Sequence, residues 1–216
     1  MISVIFDMDG TLLDTQRIWV DAWEYAGRIQ GVSGMGGYLP DVCGTNDAGS
    51  TKYLVDNFKE IDAKKFKEDA SFYVKENEVI AFKKGAREIL EFLENNNIKI
   101  AIASGTRVKG IEHKLRKLNI LDKFSVIVGG MDVQNGKPAP DIFLLAAEKM
   151  GADPETCFVF EDSTNGIRAG YAAGMKVFGI ADIAPFGNDV KELMFRELNS
   201  LDEAIEILKE YIIEVN

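Results

Sequence analysis

Only two cysteines and one histidine occur in the 216 residues, and no apolar run approaches the length that a bilayer requires. Cys43, Cys157 and His113 form no ligand-spaced cluster, which argues against zinc. The cysteines are expected to stay reduced and partly buried, and His113, in KGIEHKLRKL, to sit on a helix surface. No basic segment precedes the short apolar start MISVIF, so no secretory leader is expected and the expected location is cytoplasmic. Basic residues are also in deficit, 25 against 35 acidic, for a formal net charge of -10. That balance argues against a nucleic-acid or anionic-membrane partner, and a phosphorylated substrate would approach against the overall field. Local positive charge must then be supplied deliberately. No internal repeat or low-complexity segment is apparent, and the oligomeric state is not legible.

What is present is ample apolar material, 46% of residues, arranged in two periodicities. Residues 2–6, 98–103, 125–129, 157–161 and 175–180 are short runs rich in β-branched and aromatic residues, as in buried parallel strands. Helical patterns at 85–96, 107–119, 140–150 and 164–173 lie between the later strands, so strand and helix alternate from residue 85 onward. This predicts an α/β fold with a doubly wound parallel sheet of Rossmann-like form. Pro140 suits a first helical position, while Gly151 and Gly174 stand where helices should stop. The C-terminal stretch SLDEAIEILKEYII is amphipathic through Leu201, Ala204, Ile205, Leu208 and Ile212, with Ser200 as its expected cap.

Residues 15–81 break the alternation with helical segments and no convincing strand. The expected organisation is a core formed by 1–14 and 82–216 and an inserted helical cap over 15–81. Its two connections would leave and re-enter at the end of the sheet where ligands bind in open α/β folds.

Two acidic pairs follow strand-like runs: Asp7 and Asp9 in IFDMDGTLLDT, and Glu161 and Asp162 in FVFEDSTNG. Residues i and i+2 of a strand project to the same side, so Asp7 and Asp9 can face one ligand while Gly10 turns the chain away. Carboxylates gathered at strand ends call for a cation, and an all-oxygen set suits Mg2+. One carboxylate can attack phosphorus while the other handles protons. Ser104 and Gly105 end the second strand and offer a hydroxyl and an unhindered N–H to a phosphate oxygen. Lys137, in NGKPAPDIF, is held by a proline-stiffened segment and can neutralise both phosphate and nucleophile.

Each element has a plainer reading. Asp-x-Asp-Gly is also a turn, Ser104 also a helix cap, Lys137 also a solvated loop charge, and Asp162 or Ser163 also a cap for the helix near Thr164. Together, nucleophile, hydroxyl, lysine and acidic pair recur at successive strand ends, and this set is what phosphoryl transfer needs.

With these motifs the chain resembles the haloacid dehalogenase superfamily over essentially its whole length, through DxDGT, a Ser ending the second strand, a Lys-Pro element and the acidic pair. The resemblance implies that Asp7 is the nucleophile, Asp9 the acid/base and Ser104 the phosphate-binding hydroxyl. It makes Lys137 the neutralising lysine, and places the metal on Asp7, the backbone carbonyl of Asp9, Glu161 and Asp162. The 15–81 insert, with GKPAPDIF and FEDSTNGI, resembles the branch of β-phosphoglucomutase and small sugar-phosphate phosphatases. Here Trp19 stands where the mutase has a histidine, and Asn46 and Asp47 where it has a cap-loop arginine. Lys75 in FYVK resembles a mutase residue that holds a second phosphate, although a lysine on a helix face is usually solvated. Trp23 is expected in the cap core, whereas Trp19 either packs there or walls the substrate.

The expected activity is magnesium-dependent hydrolysis of a small phosphorylated metabolite, a sugar phosphate above all, through an aspartyl-phosphate at Asp7. A phosphomutase is the alternative, and a phosphometabolite-binding protein without activity a third.

Overall fold

The computed structural model describes residues 2–213. Six parallel strands, β1 (Ser3–Phe6), β2 (Lys99–Ser104), β3 (Val126–Gly129), β4 (Cys157–Glu161), β5 (Lys176–Gly179) and β6 (Arg196–Glu197), form one sheet in the order β3-β2-β1-β4-β5-β6. The strands read from sequence as continuous apolar runs are buried on both faces. Val4, Phe6, Ile100, Ile102, Phe158, Phe160 and Phe178 pack in one layer with α5 (Ala86–Asn95), α6 (Val108–Lys117) and α10 (Ala204–Ile213). Ile5, Ala101, Ala103, Val159 and Val177 pack in the other with α7 (Asp141–Met150), α8 (Thr164–Ala172) and α9 (Asn188–Lys191). Phe6 stacks on Phe160 at 4.8 Å between ring centroids, and Phe160 lies 4.9 Å from Phe178, so aromatics fill the centre of the first layer.

The doubly wound expectation holds, since connections from β1 run to β2 on one side and return to β4 on the other. This places the topological switch point at the C-terminal ends of β1 and β4. Register aligns Phe6 with Ile102 and Phe160, so the residues that follow β1 emerge level with the ends of both neighbours.

Four details differ from the sequence reading. The edge strand β6 was missed because its two residues are exposed and carry charge rather than an apolar run. Pro140 is the residue before α7 and Asp141 the first within it, a one-position shift at a helix end. Ser200 makes no capping hydrogen bond, because a 3-10 turn, Leu201–Glu203, intervenes before α10. The short helix α9 carried no periodic signal. Gly151, by contrast, ends α7 at φ 64° as expected.

Between β1 and α5 the described chain is helical: α1 (Arg17–Ile29), α2 (Leu39–Val42), α3 (Asp47–Asn57) and α4 (Ala63–Asn77), plus a 3-10 turn, Met35–Tyr38. Asn46 caps α3 by accepting from Gly49 N, and Asp62 caps α4 by accepting from Lys64 N and Lys65 N. These helices have a core of their own around Met35, Leu54 and Phe66, where Trp23 meets Phe66 edge-on at 5.2 Å. The segments joining them to the sheet run side by side: Asp14 N donates to Ala81 O at 2.9 Å and Lys83 N to Leu12 O at 3.0 Å. Among the described residues no helix is long and apolar enough to cross a membrane.

Candidate active site

Asp7 leaves the end of β1 and is buried. Lys137, from the loop between β3 and α7, also ends buried there: its Nζ donates to Asp7 Oδ1 at 2.6 Å, Glu161 Oε1 at 2.6 Å and Ala103 O at 3.0 Å. The solvated-lysine reading therefore fails, since the residue is 3% exposed. Burial opposes its charge, but Asp7 and Glu161 hold the ammonium well above the ordinary lysine value. Burial likewise pushes the Asp7 carboxyl up to about 7; Lys137 opposes the rise and Glu161 adds to it. The thiols of Cys43 and Cys157 are buried, free and raised by desolvation, and His113 is exposed.

The acidic pair of β4 divides its labour. Glu161 spends one oxygen on Lys137 and the other on the N–H and hydroxyl of Ser163, both at 2.9 Å, while Ser163 caps α8 by accepting from Gly166 N. Asp162 accepts from Thr11 Oγ1 at 2.9 Å through Oδ1, and its carboxyl is raised by burial, then by Glu161 and Asp7. Its Oδ2 lies against Gly10, where a Cβ would come within 2.3 Å; at φ 90° that residue must be glycine in any case. Three buried carboxylates thus stand together, two of them paired with the one lysine, an excess of acidic groups with hard oxygen donors.

This donor set fits magnesium. Among the described residues no three acids, cysteines or histidines converge as a ready cage. Both oxygens of Glu161 are engaged, and the Asp9 side chain turns elsewhere. Asp7 and Asp162, with the Asp9 backbone carbonyl, are left as candidate ligands, consistent with an ion that keeps several waters.

Asp9 is the larger surprise. Its Oδ1 accepts from Lys114 Nζ at 2.7 Å and from Thr15 Oγ1, and its Oδ2 from Thr106 Oγ1 at 2.9 Å. Burial opposes ionisation, but Lys114 and these hydrogen bonds outweigh it and hold the carboxyl below its ordinary value. Lys114 also reaches Glu78 Oε1 at 2.6 Å, just beyond α4. Sequence reasoning passed over Lys114, Thr15 and Thr106. The signal for Lys114 was its place three residues after Ile111 and beside Leu115, on the buried stripe of α6.

Ser104 is buried at the end of β2 and accepts from Thr106 N at 3.2 Å. Gly105 lies under the helical insert, where a Cβ would come within 2.3 Å of Thr45 O; this close approach excludes a side chain. Asn165 Nδ2 donates to Cys43 O at 3.0 Å across the same junction. Together they enclose a cleft of about 490 Å³ with Asp7, Asp9, Ser104 and Gly105 on its floor. Trp19 and Trp23 both line it, and Trp19 also packs against the core of the insert, so it occupies both of the places left open for it. Lys75 is exposed in an adjoining outer groove and is not among the residues that line the cleft; Lys67, two helical turns earlier in α4, lines both.

Residues 4–180 match the model of the haloacid dehalogenase-like hydrolases. The chain belongs to that family. It is similar to a phosphorylated carbohydrates phosphatase of Thermotoga maritima, 34% identical over 98% of this chain and 100% of that protein. It is also similar to β-phosphoglucomutase of Bacillus subtilis, 32% identical over 97% of this chain and 95% of that one. A hydrolase structure from Pseudomonas syringae superposes with TM-score 0.82 at 25% identity, covering 97% and 99% of the two chains. The family expectation is borne out, and the chain is a haloacid dehalogenase-type hydrolase of the phosphatase class.

Proposed function

We propose that this enzyme hydrolyses a small phosphomonoester, a sugar phosphate above all, with Asp7 as nucleophile and the helical insert of 15–81 as a cap. The observation that carries this reading is the buried Lys137 bridging Asp7 and Glu161 beneath a Trp-walled cleft. Lys137 holds Asp7 Oδ1, which leaves Oδ2 to attack phosphorus and form an aspartyl-phosphate with expulsion of the alcohol. Ser104 and the Gly105 N–H would hold the phosphoryl oxygens, and Lys137 would meet the charge that spreads over them. Magnesium, when bound by Asp7, Asp162 and the Asp9 carbonyl, would add electrostatic stabilisation of that same charge. In the arrangement seen here Asp9 is an ionised base, suited to activating water. To protonate the leaving alcohol it must first part from Lys114, Thr15 and Thr106 and take up a proton; it then recovers one from the water that attacks the aspartyl-phosphate, releasing inorganic phosphate and freeing Asp7.

The deciding experiment is a panel of sugar phosphates with magnesium, scoring free phosphate and isomerised sugar phosphate together. Phosphate release without isomerisation is expected. Isomerisation with little free phosphate would establish the mutase, and no turnover would favour a binding protein. Trp19 at the mutase histidine position and Lys75 outside the cleft both speak for hydrolysis.

Magnesium should also be visible in stability. Asp7 prefers its proton in the folded, metal-free state, so the stability it contributes is full below the ordinary value of 3.8 and is lost as pH rises through about 7. A bound cation replaces that proton. The magnesium-induced rise in Tm is therefore expected to be small at pH 5 and to reach about 5 °C or more at pH 8 at saturating ion. A rise that is independent of pH, measured by thermal denaturation against a chelator control, would contradict this.

A further inference from the structure

Asp47 is the first residue of α3 and enters the outer half of the cleft. Two cations close on its carboxylate from opposite sides. Lys67 of α4 donates to Oδ1 and also, at 2.8 Å each, to the Asp47 carbonyl and Thr51 Oγ1; Arg107, which precedes α6, places Nη2 3.6 Å from Oδ2. One partner belongs to the insert and the other to the sheet side, so the carboxylate also ties the two across the cleft mouth. Asp47, Lys67, Ser71 and Arg107 line both the inner cleft and the outer groove of about 660 Å³ that holds Lys64 and Lys75. They form the neck between the two.

A second anion on a substrate, remote from the phosphoryl group on Asp7, would naturally seek this neck. Lys67 is already satisfied there, and Arg107 is held within ion-pair reach, by a carboxylate that is covalently tethered and therefore present at high effective concentration. If displaced, Asp47 could move only as far as its side chain allows, and its charge would still face the incoming anion. Sugar hydroxyls meet the opposite situation, since the carboxylate can accept from them while keeping its cations. Asn46, Ser50 and Ser71 extend the same polar lining.

We propose that Asp47 is a specificity-determining residue that restricts the enzyme to phosphomonoesters with a hydroxylated, uncharged far end and excludes bisphosphates. This rests on the hydrolase reading above and deepens it by naming the class of phosphomonoester that the cleft accepts. The carboxylate acts by repulsion as much as by attraction, a common source of discrimination between close substrates.

The test uses p-nitrophenyl phosphate as reporter and measures inhibition constants for fructose 1-phosphate and fructose 1,6-bisphosphate with wild type, Asp47→Asn and Asp47→Glu. Wild type is expected to bind the monophosphate more tightly. Asp47→Asn should tighten bisphosphate binding about tenfold relative to monophosphate, and Asp47→Glu should restore the wild-type preference. If Asp47 serves only as a favourable acid at a helix N-terminus, both sugar phosphates respond alike to Asp47→Asn and the proposal fails. It fails equally if wild type binds the bisphosphate as tightly as the monophosphate, or if neither protein binds the bisphosphate. Absence of phosphate release from the reporter and from every monoester of the panel would instead remove the hydrolase reading on which it rests.

Discussion

Asp7→Asn is expected to lower phosphate release by about 10⁴-fold or more while leaving the protein folded and, without metal, more stable at alkaline pH. The amide cannot form an acyl-phosphate, so loss of the nucleophile should appear in kcat at saturating substrate. The stability gain comes from the same geometry. Burial and the neighbouring Glu161 make the ionised carboxylate unfavourable to an extent that Lys137 does not fully offset, and the pKa stands at about 7. Asparagine is neutral at every pH and nearly isosteric, so it relieves the charge while Lys137 keeps Glu161 and Ala103 O. Thermal denaturation in chelator should place Asp7→Asn above wild type at pH 8 and close to it near pH 4. A variant that keeps more than about 1% of the activity would dismiss Asp7 as nucleophile. One that is inactive but less stable at pH 8 would show that the Asp7–Lys137 pair is net stabilising.

Lys137→Met is expected to damage both function and fold. The methionine fills the volume but leaves Asp7 and Glu161 without the cation that both contact at 2.6 Å. Removing one member of a buried ionic cluster costs about 3–5 kcal/mol, roughly 10 °C in Tm for a chain of this size. The sign of the pH dependence follows from the carboxylates. At low pH Asp7 takes up its proton and the missing cation matters less, whereas towards pH 8 the deficit is full. Activity should fall about 10³-fold or more even at temperatures where the variant is folded, because the transferring phosphoryl group loses its buried positive partner. Folding is checked by circular dichroism, and magnesium should recover part of the stability but little of the rate. Equal Tm values for variant and wild type at pH 8 in chelator would refute this account of Lys137.

How much of this was legible differs from element to element. The buried strands were readable because both faces pack against helices, so each becomes a nearly continuous apolar run; β6 escaped because an exposed two-residue edge needs no such run. Asp7, Ser104 and the Glu161–Asp162 pair were found because each lies at or just beyond the end of a strand, where sequence position converts directly to place, and Lys137 because prolines stiffen the loop that carries it. Lys114, Thr106 and Thr15, which hold Asp9, come from a helix interior and connections whose orientation depends on packing. Lys67 and Lys75 show the limit most clearly. Both are lysines of α4 eight residues apart, and only the packing of α1 and α4 around Trp23 and Phe66 decides that the first lines the cleft and the second does not.

By itself, then, the sequence determined the α/β class, the helical insert and which residues stand at the strand ends, since periodicity and local turn chemistry are properties of short segments. Only the tertiary structure decided what each charge does there. It buried Lys137 between two carboxylates, turned Asp9 toward Lys114, engaged both oxygens of Glu161 and closed Lys67 and Arg107 on Asp47. The physical reason is that a side chain's ionisation and partners depend on desolvation and on charges a few ångströms away, which are brought together from segments up to 151 residues apart.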